Sequence, residues 1–261
     1  MSVASLDAGG EGRAAGRVPF LEARNVTKRY GGLFAVRDVT LPLYPGEVVG
    51  IVGDNGAGKS TFIKILAGDH EPTSGDLLIE GRPVRFARPR DAKRAQIETI
   101  YQDLALCENL SVMDNVFLGH EITSGLPFRF LRRARMHAET RILLDDLGIG
   151  IPSTHEIVVN LSGGQRQATA LARVAKAGAK LVILDEPTAA LGVRETRALL
   201  DLVLRFREQG KAILVISHEM RDVFEITDRI AVFKRGELIA DRRTKETTPD
   251  EIVSLIMRGR Q

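Results

Sequence analysis

The fold of this chain of 261 residues is decided by the stretch Gly53-Asp54-Asn55-Gly56-Ala57-Gly58-Lys59-Ser60. A short apolar run (47–52) precedes it, and a helical pattern (59–67) closed by Gly68 follows it. The stretch fits G-x-x-x-x-G-K-[ST], in which bare backbone N–H groups wrap phosphate oxygens at the positive end of a helix. We therefore predict a nucleotide site in which Lys59 reaches the β- and γ-phosphates and Ser60 binds Mg²⁺. The predicted nucleotide contacts of this segment are Gly53, Asp54, Asn55, Gly56, Ala57, Gly58, Lys59, Ser60 and Thr61.

The segments on either side predict an α/β fold. Continuous apolar runs at 181–184 and 212–216 are typical of strands covered on both faces in a parallel sheet, and a helical pattern (195–209) separates them. Alternating segments at 21–26, 36–43 and 76–80 predict a small N-terminal antiparallel β subdomain. A hairpin is predicted over 230–240. The segment from about 103 to 160 favours helices, for example over 136–147.

Composition and charge bear on three possibilities: nucleic-acid binding, a disulfide-bonded protein and a membrane-spanning protein. With 37 basic and 34 acidic residues, the net charge of +3 is too balanced to indicate nucleic-acid binding by itself. The single cysteine, Cys107, excludes an intrachain disulfide. The sequence contains no apolar run of about 18 residues or more, so no membrane span is predicted. The N-terminal segment does not have the pattern of a secretory signal. Residues 1–18 predict a disordered tail, and 19–261 a single domain. Such a protein would reach a membrane only through a partner or a surface contact.

Two carboxylates end the apolar run at 181–184. Asp185 suits a Mg²⁺ partner, and Glu186 lies one residue further, where it could polarise a water for attack on a phosphate. Without the phosphate loop, a strand followed by a solvated acidic turn would explain the same pattern.

A second anion-attracting helix start follows Leu161. Ser162 and Gln165 are spaced as a capping box, and two glycines between them leave bare N–H groups. One nucleotide does not easily use both helix starts within one subunit. We therefore predict a dimer in which the phosphate loop of one copy faces the Ser162 end of the other. The predicted contacts on that side are Ser162, Gly163, Gly164 and Gln165.

Over about residues 20–258 these motifs together resemble the ATP-binding cassette of ABC transporters. The resemblance implies a P-loop NTPase core with a helical subdomain (about 103–175) inserted in it. It implies that Tyr30 stacks on adenine, Gln102 contacts Mg²⁺ and water, and His218 touches the γ-phosphate. It also implies a homodimer that hydrolyses Mg-ATP, with Glu186 as the base, to drive integral-membrane permease subunits. The alternatives are that Tyr30 is an aromatic residue of a sheet with no role in binding, and that His218 is a structural residue.

The segments at 68–72 and 115–119 look closest to monosaccharide importers of the ribose, xylose and fructose type. This likeness implies a peripheral subunit on the cytoplasmic face of a bacterial inner membrane. A periplasmic sugar-binding protein would be an indirect partner, and no nucleic acid would be involved. The alternatives are an ABC ATPase for another transported substrate, including an exporter, and a soluble ATPase of iron–sulfur assembly.

The loop Ala189-Ala190-Leu191-Gly192 departs from the family, which usually has Ser-Ala-Leu-Asp there. Because Gly192 removes a carboxylate and adds backbone freedom, we expect looser coupling between the two sites or compensation from a neighbour. The basic, partly apolar segment 128–133 favours a solvated loop over a contact with membrane lipid or a permease.

Overall fold

Strands alternate with helices along most of the chain, of which the computed structural model describes residues 17–101, 104–125, 130–146, 150–189 and 191–258. The strands are β1 (Leu21–Tyr30), β2 (Leu33–Leu43), β3 (Val48–Val52), β4 (Ser74–Ile79), β5 (Arg82–Val84), β6 (Ile97–Ile100), β7 (Leu181–Asp185), β8 (Ala212–Ile216), β9 (Arg229–Lys234) and β10 (Glu237–Arg243). The helices are α1 (Lys59–Leu66), α2 (Pro89–Arg94), α3 (Val112–Phe117), α4 (Arg133–Asp146), α5 (Gly163–Lys176), α6 (Val193–Glu208), α7 (Met220–Ile226) and α8 (Pro249–Arg258).

A six-stranded sheet in the order β10-β9-β3-β8-β7-β6 forms the centre. All its pairs are parallel except β10 with β9, which form the predicted hairpin. Every residue of β3 and β8 is buried, which explains their continuous apolar sequence. The carboxyl ends of β3, β7 and β8 lie side by side, so the loops that follow them meet at one edge of the sheet.

The N-terminal segments form the predicted antiparallel sheet, in the order β2-β1-β4-β5. It contacts the central sheet where the N–H of Arg37 donates to the carbonyl of Gly236 over 2.7 Å. The α/β fold with an antiparallel subdomain is therefore confirmed.

Three α-helices, α3, α4 and α5, lie in the described part of the chain between β6 and β7, separated by turns and loops. The predicted helix at 136–147 corresponds to α4, which begins earlier, at Arg133. The cluster that packs α3, α4 and α5 together includes Phe117, Met136 and Leu171. The subdomain bounds of about 103 and 175 stay a proposal. The predicted tail falls outside the described residues except at 17 and 18. In the described ranges, no helix has the length and apolar character needed to span a membrane.

Candidate nucleotide site

Three glycines with positive φ shape the loop between β3 and α1. The φ angles are 151° at Gly53, 76° at Gly56 and 100° at Gly58. A Cβ at Gly53 would lie 2.2 Å from the carbonyl oxygen of Phe233, and one at Gly58 would lie 2.4 Å from that of Ala35. The first of these neighbours belongs to the central sheet and the second to the antiparallel sheet. Both the backbone conformation and the lack of space therefore require glycine at 53 and 58.

Lys59 begins α1 and is only 6% exposed. Its Nζ donates to the carbonyl oxygens of Gly53 (2.7 Å) and Asp54 (2.9 Å). Burial lowers the pKa of Lys59, while the carboxylates of Glu186, Asp185 and Asp54 act in the opposite direction. The ammonium is thus held across the loop by carbonyl oxygens, which phosphate oxygens can replace.

The two carboxylates predicted after β7 leave the sheet beside this lysine. Asp185 is the last residue of β7, and Glu186 turns away with a φ of 51°. The N–H of Glu186 donates to the carbonyl of Ile216, at the end of β8, over 3.0 Å. Burial raises the pKa of Asp185, and Glu186 raises it further, whereas Lys59 lowers it. A cation near Asp185 would offset this cost, because it favours the charged carboxylate.

His218 and Glu186, which are 32 positions apart, are in contact. Nε2 of His218 lies 2.5 Å from Oε1 of Glu186. His218 follows β8 by two residues, so the adjacent strands β7 and β8 deliver the two side chains to the same edge. The structure therefore brings together two residues that the resemblance to the family assigns to one catalytic group.

The second helix start has the predicted capping box. Oγ of Ser162 accepts from the N–H of Gln165 (3.3 Å), and Oε1 of Gln165 accepts from the N–H of Ser162 (3.0 Å). Ser162 and Gly163 are exposed, so the positive end of the 14-residue helix α5 faces outward.

A cavity of about 240 Å³ separates the start of α5 from the segment that follows β7. Its lining residues are Leu104, Gly163, Arg166, Gln167, Glu186, Pro187, Ala189 and Leu191. Nε2 of Gln167 is buried and has no hydrogen-bond partner within the described ranges. Glu186 and the start of α5 therefore border the same space within one subunit.

Tyr30 ends β1, and 46% of it is exposed. Nζ of Lys28 lies 5.2 Å from the centre of its ring, and the ring of His70 meets it edge-on at 6.0 Å. The exposure leaves room for an adenine to stack on Tyr30. Sequence reasoning gave His70 no role, because no local motif connects it with Tyr30. Gln102 lies outside the described residues, so its contact with Mg²⁺ stays a prediction.

Comparison with known proteins shows which family this chain belongs to. Residues 36–189 match the family described as "ABC transporter". The chain is 45% identical over 243 residues to the fructose import ATP-binding protein FrcA of Rhizobium meliloti, covering 91% of this chain and 94% of that protein. It is 45% identical over 236 residues to the xylose/arabinose import ATP-binding protein XylG of Sulfolobus acidocaldarius, with 90% and 93% covered. The ribose import ATP-binding protein RbsA 2 of Escherichia coli O157:H7 is 38% identical, but this chain spans only 46% of its length.

Solved structures agree with this result. CbiO1 of Clostridium perfringens, part of the ABC transporter complex CbiONQ, is 26% identical with a TM-score of 0.76, and 92% of this chain and 96% of that one are covered. A dimeric ATP-binding cassette in a post-hydrolysis state, bound to ADP and phosphate, is 25% identical with a TM-score of 0.73, covering 87% and 100%. The chain belongs to the ATP-binding cassette family of ABC transporters.

Proposed function

We propose that this chain is the ATP-hydrolysing subunit of an importer for a simple sugar and works as a homodimer beneath integral-membrane permease subunits. The names of the fructose and xylose/arabinose relatives, each 45% identical, support a sugar as cargo. In this proposal the subunit lies on the cytoplasmic face of the bacterial inner membrane. A periplasmic sugar-binding protein delivers the cargo to the permease and does not touch this chain.

The contact between His218 and Glu186 is the observation that supports ATP hydrolysis at this site. The oxygen of a water attacks the γ-phosphorus, the bond to the β–γ bridging oxygen breaks, and ADP and phosphate are released. Glu186 accepts the proton of the attacking water. Because Nε2 of His218 lies 2.5 Å from Oε1, it fixes the carboxylate and leaves Oε2 for the water.

The phosphate loop supplies the charge stabilisation. Lys59 exchanges its two carbonyl contacts for phosphate oxygens, and the loop N–H groups and the start of α1 face the same charge. These groups are held in place before the nucleotide arrives, so little reorganisation accompanies the reaction.

The oxygens of Ser60 and Asp185 fit Mg²⁺, which prefers hard oxygen ligands and shares its shell with phosphates and water. The raised pKa of Asp185, caused by burial and by Glu186, marks a place where a cation is favoured. Within the described ranges, no group of three or more His, Cys, Asp or Glu side chains could hold a metal by itself. When bound, Mg²⁺ would supply positive charge to the phosphate oxygens. We propose Gln102 as a further ligand.

Asp185→Asn should abolish the extra thermal stabilisation that Mg²⁺ adds to ATP, because ligand binding raises the unfolding midpoint only through contacts with the folded state. The nucleotide-free variant should unfold no earlier than the wild type, since burial already disfavours the charged form of Asp185. Differential scanning fluorimetry with ATP, with and without Mg²⁺, measures both effects. Asp76→Asn, on the exposed part of β4, is the matched control. An undiminished effect of Mg²⁺ in the Asp185 variant would contradict the proposed ligand.

Uptake of labelled fructose, xylose, arabinose and ribose by cells lacking this gene tests the transport proposal. We expect uptake of one of these sugars to be lost and then restored by the wild-type gene. Glu186→Gln should not restore uptake, because it removes the proposed base. Glu208→Gln, the same chemical change at the exposed end of α6, should restore it. Unchanged uptake of all four sugars in the deletion strain would contradict a role in importing them.

A further inference from the structure

The side chain of Glu195 lies across two glycines from different segments. Glu195 belongs to the first turn of α6. A Cβ added to Gly164, the second residue of α5, would lie 2.3 Å from Cγ of Glu195, and one added to Gly192 would lie 2.6 Å from its Oε2. Since atoms do not approach as closely as 2.3 Å, the stem of Glu195 takes this position only because residue 164 is glycine, whereas its carboxylate could rotate away from a side chain at 192.

Away from Glu195, the start of α5 and the segment after β7 border an open cavity. The cavity of about 240 Å³ is lined by Gly163 and Arg166 of α5 and by Glu186 and Ala189 of the segment after β7. The start of α5 and the segment after β7 are therefore apart at the cavity. Glu195 contacts the bare backbone of both segments, with its aliphatic stem at Gly164 and its carboxylate at Gly192.

We propose that Glu195 is a positioning residue that fixes the start of α5 relative to the loop that carries Glu186. The inference rests on the proposed homodimer, in which the start of α5 faces the nucleotide held by the partner subunit. When α5 closes on that nucleotide, the contact through Glu195 moves the loop with it. His218 keeps its contact with the Glu186 carboxylate, and the movement of the loop adjusts the position of this pair relative to the bound nucleotide when the partner's nucleotide is in place. The contact depends on the length and shape of the side chain, which must reach from Gly164 to Gly192.

Steady-state ATP hydrolysis by two variants of Glu195 tests this role. Glu195→Ala removes both contacts and should lower kcat about tenfold, the effect of losing one coupling contact. The apparent KM for ATP should not change, because the residues that hold the nucleotide in its own subunit are untouched. Glu195→Gln keeps the stem and the length and should keep the wild-type kcat. An unchanged kcat in the alanine variant, or an equal loss in both variants, would overturn the proposal.

A double-mutant cycle with Gly164 isolates the contact itself. Gly164→Ala places a methyl group where Cγ of Glu195 lies and should displace that side chain. Because the contact is then already lost, Gly164→Ala with Glu195→Ala should have a kcat no lower than that of Gly164→Ala alone. Losses that multiply in the double variant would show independent roles and would also overturn the proposal.

Thermal unfolding separates this role from a folding defect. Glu195 is exposed, so its substitutions should leave the unfolding midpoint close to that of the wild type. The test is also separable from the transport proposal. A wild-type protein that hydrolyses ATP but restores no sugar uptake overturns the sugar cargo alone. An unchanged kcat in Glu195→Ala overturns the role of Glu195 alone.

Discussion

Glu186→Gln should lower the kcat for ATP hydrolysis by a factor of about 10²–10⁴, the usual contribution of a positioned general base. Glutamine keeps the shape of the side chain, and its amide oxygen can still face Nε2 of His218, but it cannot take a proton from water. ATP should still bind, because the phosphate loop and Lys59 are unchanged. Phosphate release measures the first effect, and binding of a fluorescent ATP analogue measures the second.

The matched control is Glu208→Gln. Glu208 lies at the exposed end of α6, so the same loss of charge there should leave both kcat and nucleotide affinity unchanged. Wild-type turnover in the Glu186→Gln protein would contradict the assignment of Glu186 as the base. Loss of nucleotide binding in that variant would show instead that Glu186 acts in holding ATP.

Lys59→Met should weaken ATP binding by about 10- to 100-fold, which corresponds to the loss of charge-assisted hydrogen bonds to phosphate. Lys59 is nearly buried, and burial lowers its pKa, so the folded protein already bears a cost for this charge. In the methionine variant, the free-energy cost of burying the charge disappears, which offsets the loss of the two hydrogen bonds to carbonyl oxygens. The unfolding midpoint of the nucleotide-free variant should therefore change little. Isothermal titration calorimetry and thermal unfolding measure the two quantities.

Lys64→Met provides the control for this change. Lys64 lies on the same helix, α1, but is exposed. The substitution removes one positive charge near the site without removing a group that points into the loop. ATP affinity close to that of the wild type is expected for Lys64→Met. Equal losses in the two variants would contradict a specific contact between Lys59 and the phosphates.

The parts of the fold that the sequence predicts are those with local signals. The predicted strands at 181–184 and 212–216 agree with β7 and β8 within one residue, because strands buried on both faces are continuous apolar runs. The phosphate loop is equally local, since the steric need for glycine at 53 and 58 is visible as spacing. The capping box between Ser162 and Gln165 depends only on residues three apart.

The parts that the sequence does not predict depend on tertiary pairing. Strand β6 has only four residues, and Glu98 and Thr99 interrupt its apolar character. It is a strand because it pairs with β7 at the edge of the sheet. Helix α6 begins at Val193 rather than at 195, and its N-cap residue, Gly192, has no capping side chain that would mark this start in the sequence.

The candidate site divides in the same way. Its phosphate loop and the carboxylates after β7 follow from the residues alone, whereas His218 was assigned only through resemblance to a family. Its contact with Glu186 requires β7 and β8 to be neighbours. Glu195 could not be found from the sequence, because its position depends on the start of α6 lying against Gly164 in the folded chain.

The mass of the Glu186→Gln protein in solution with Mg-ATP tests the composite site most directly. Light scattering should give twice the subunit mass of 28.6 kDa with ATP and a single subunit with ADP. Adding Ser162→Arg, which blocks the exposed start of α5, should leave a single subunit with either nucleotide. A protein that stays at the mass of one subunit with saturating Mg-ATP, or whose dimer is unaffected by Ser162→Arg, would contradict a site shared between two copies.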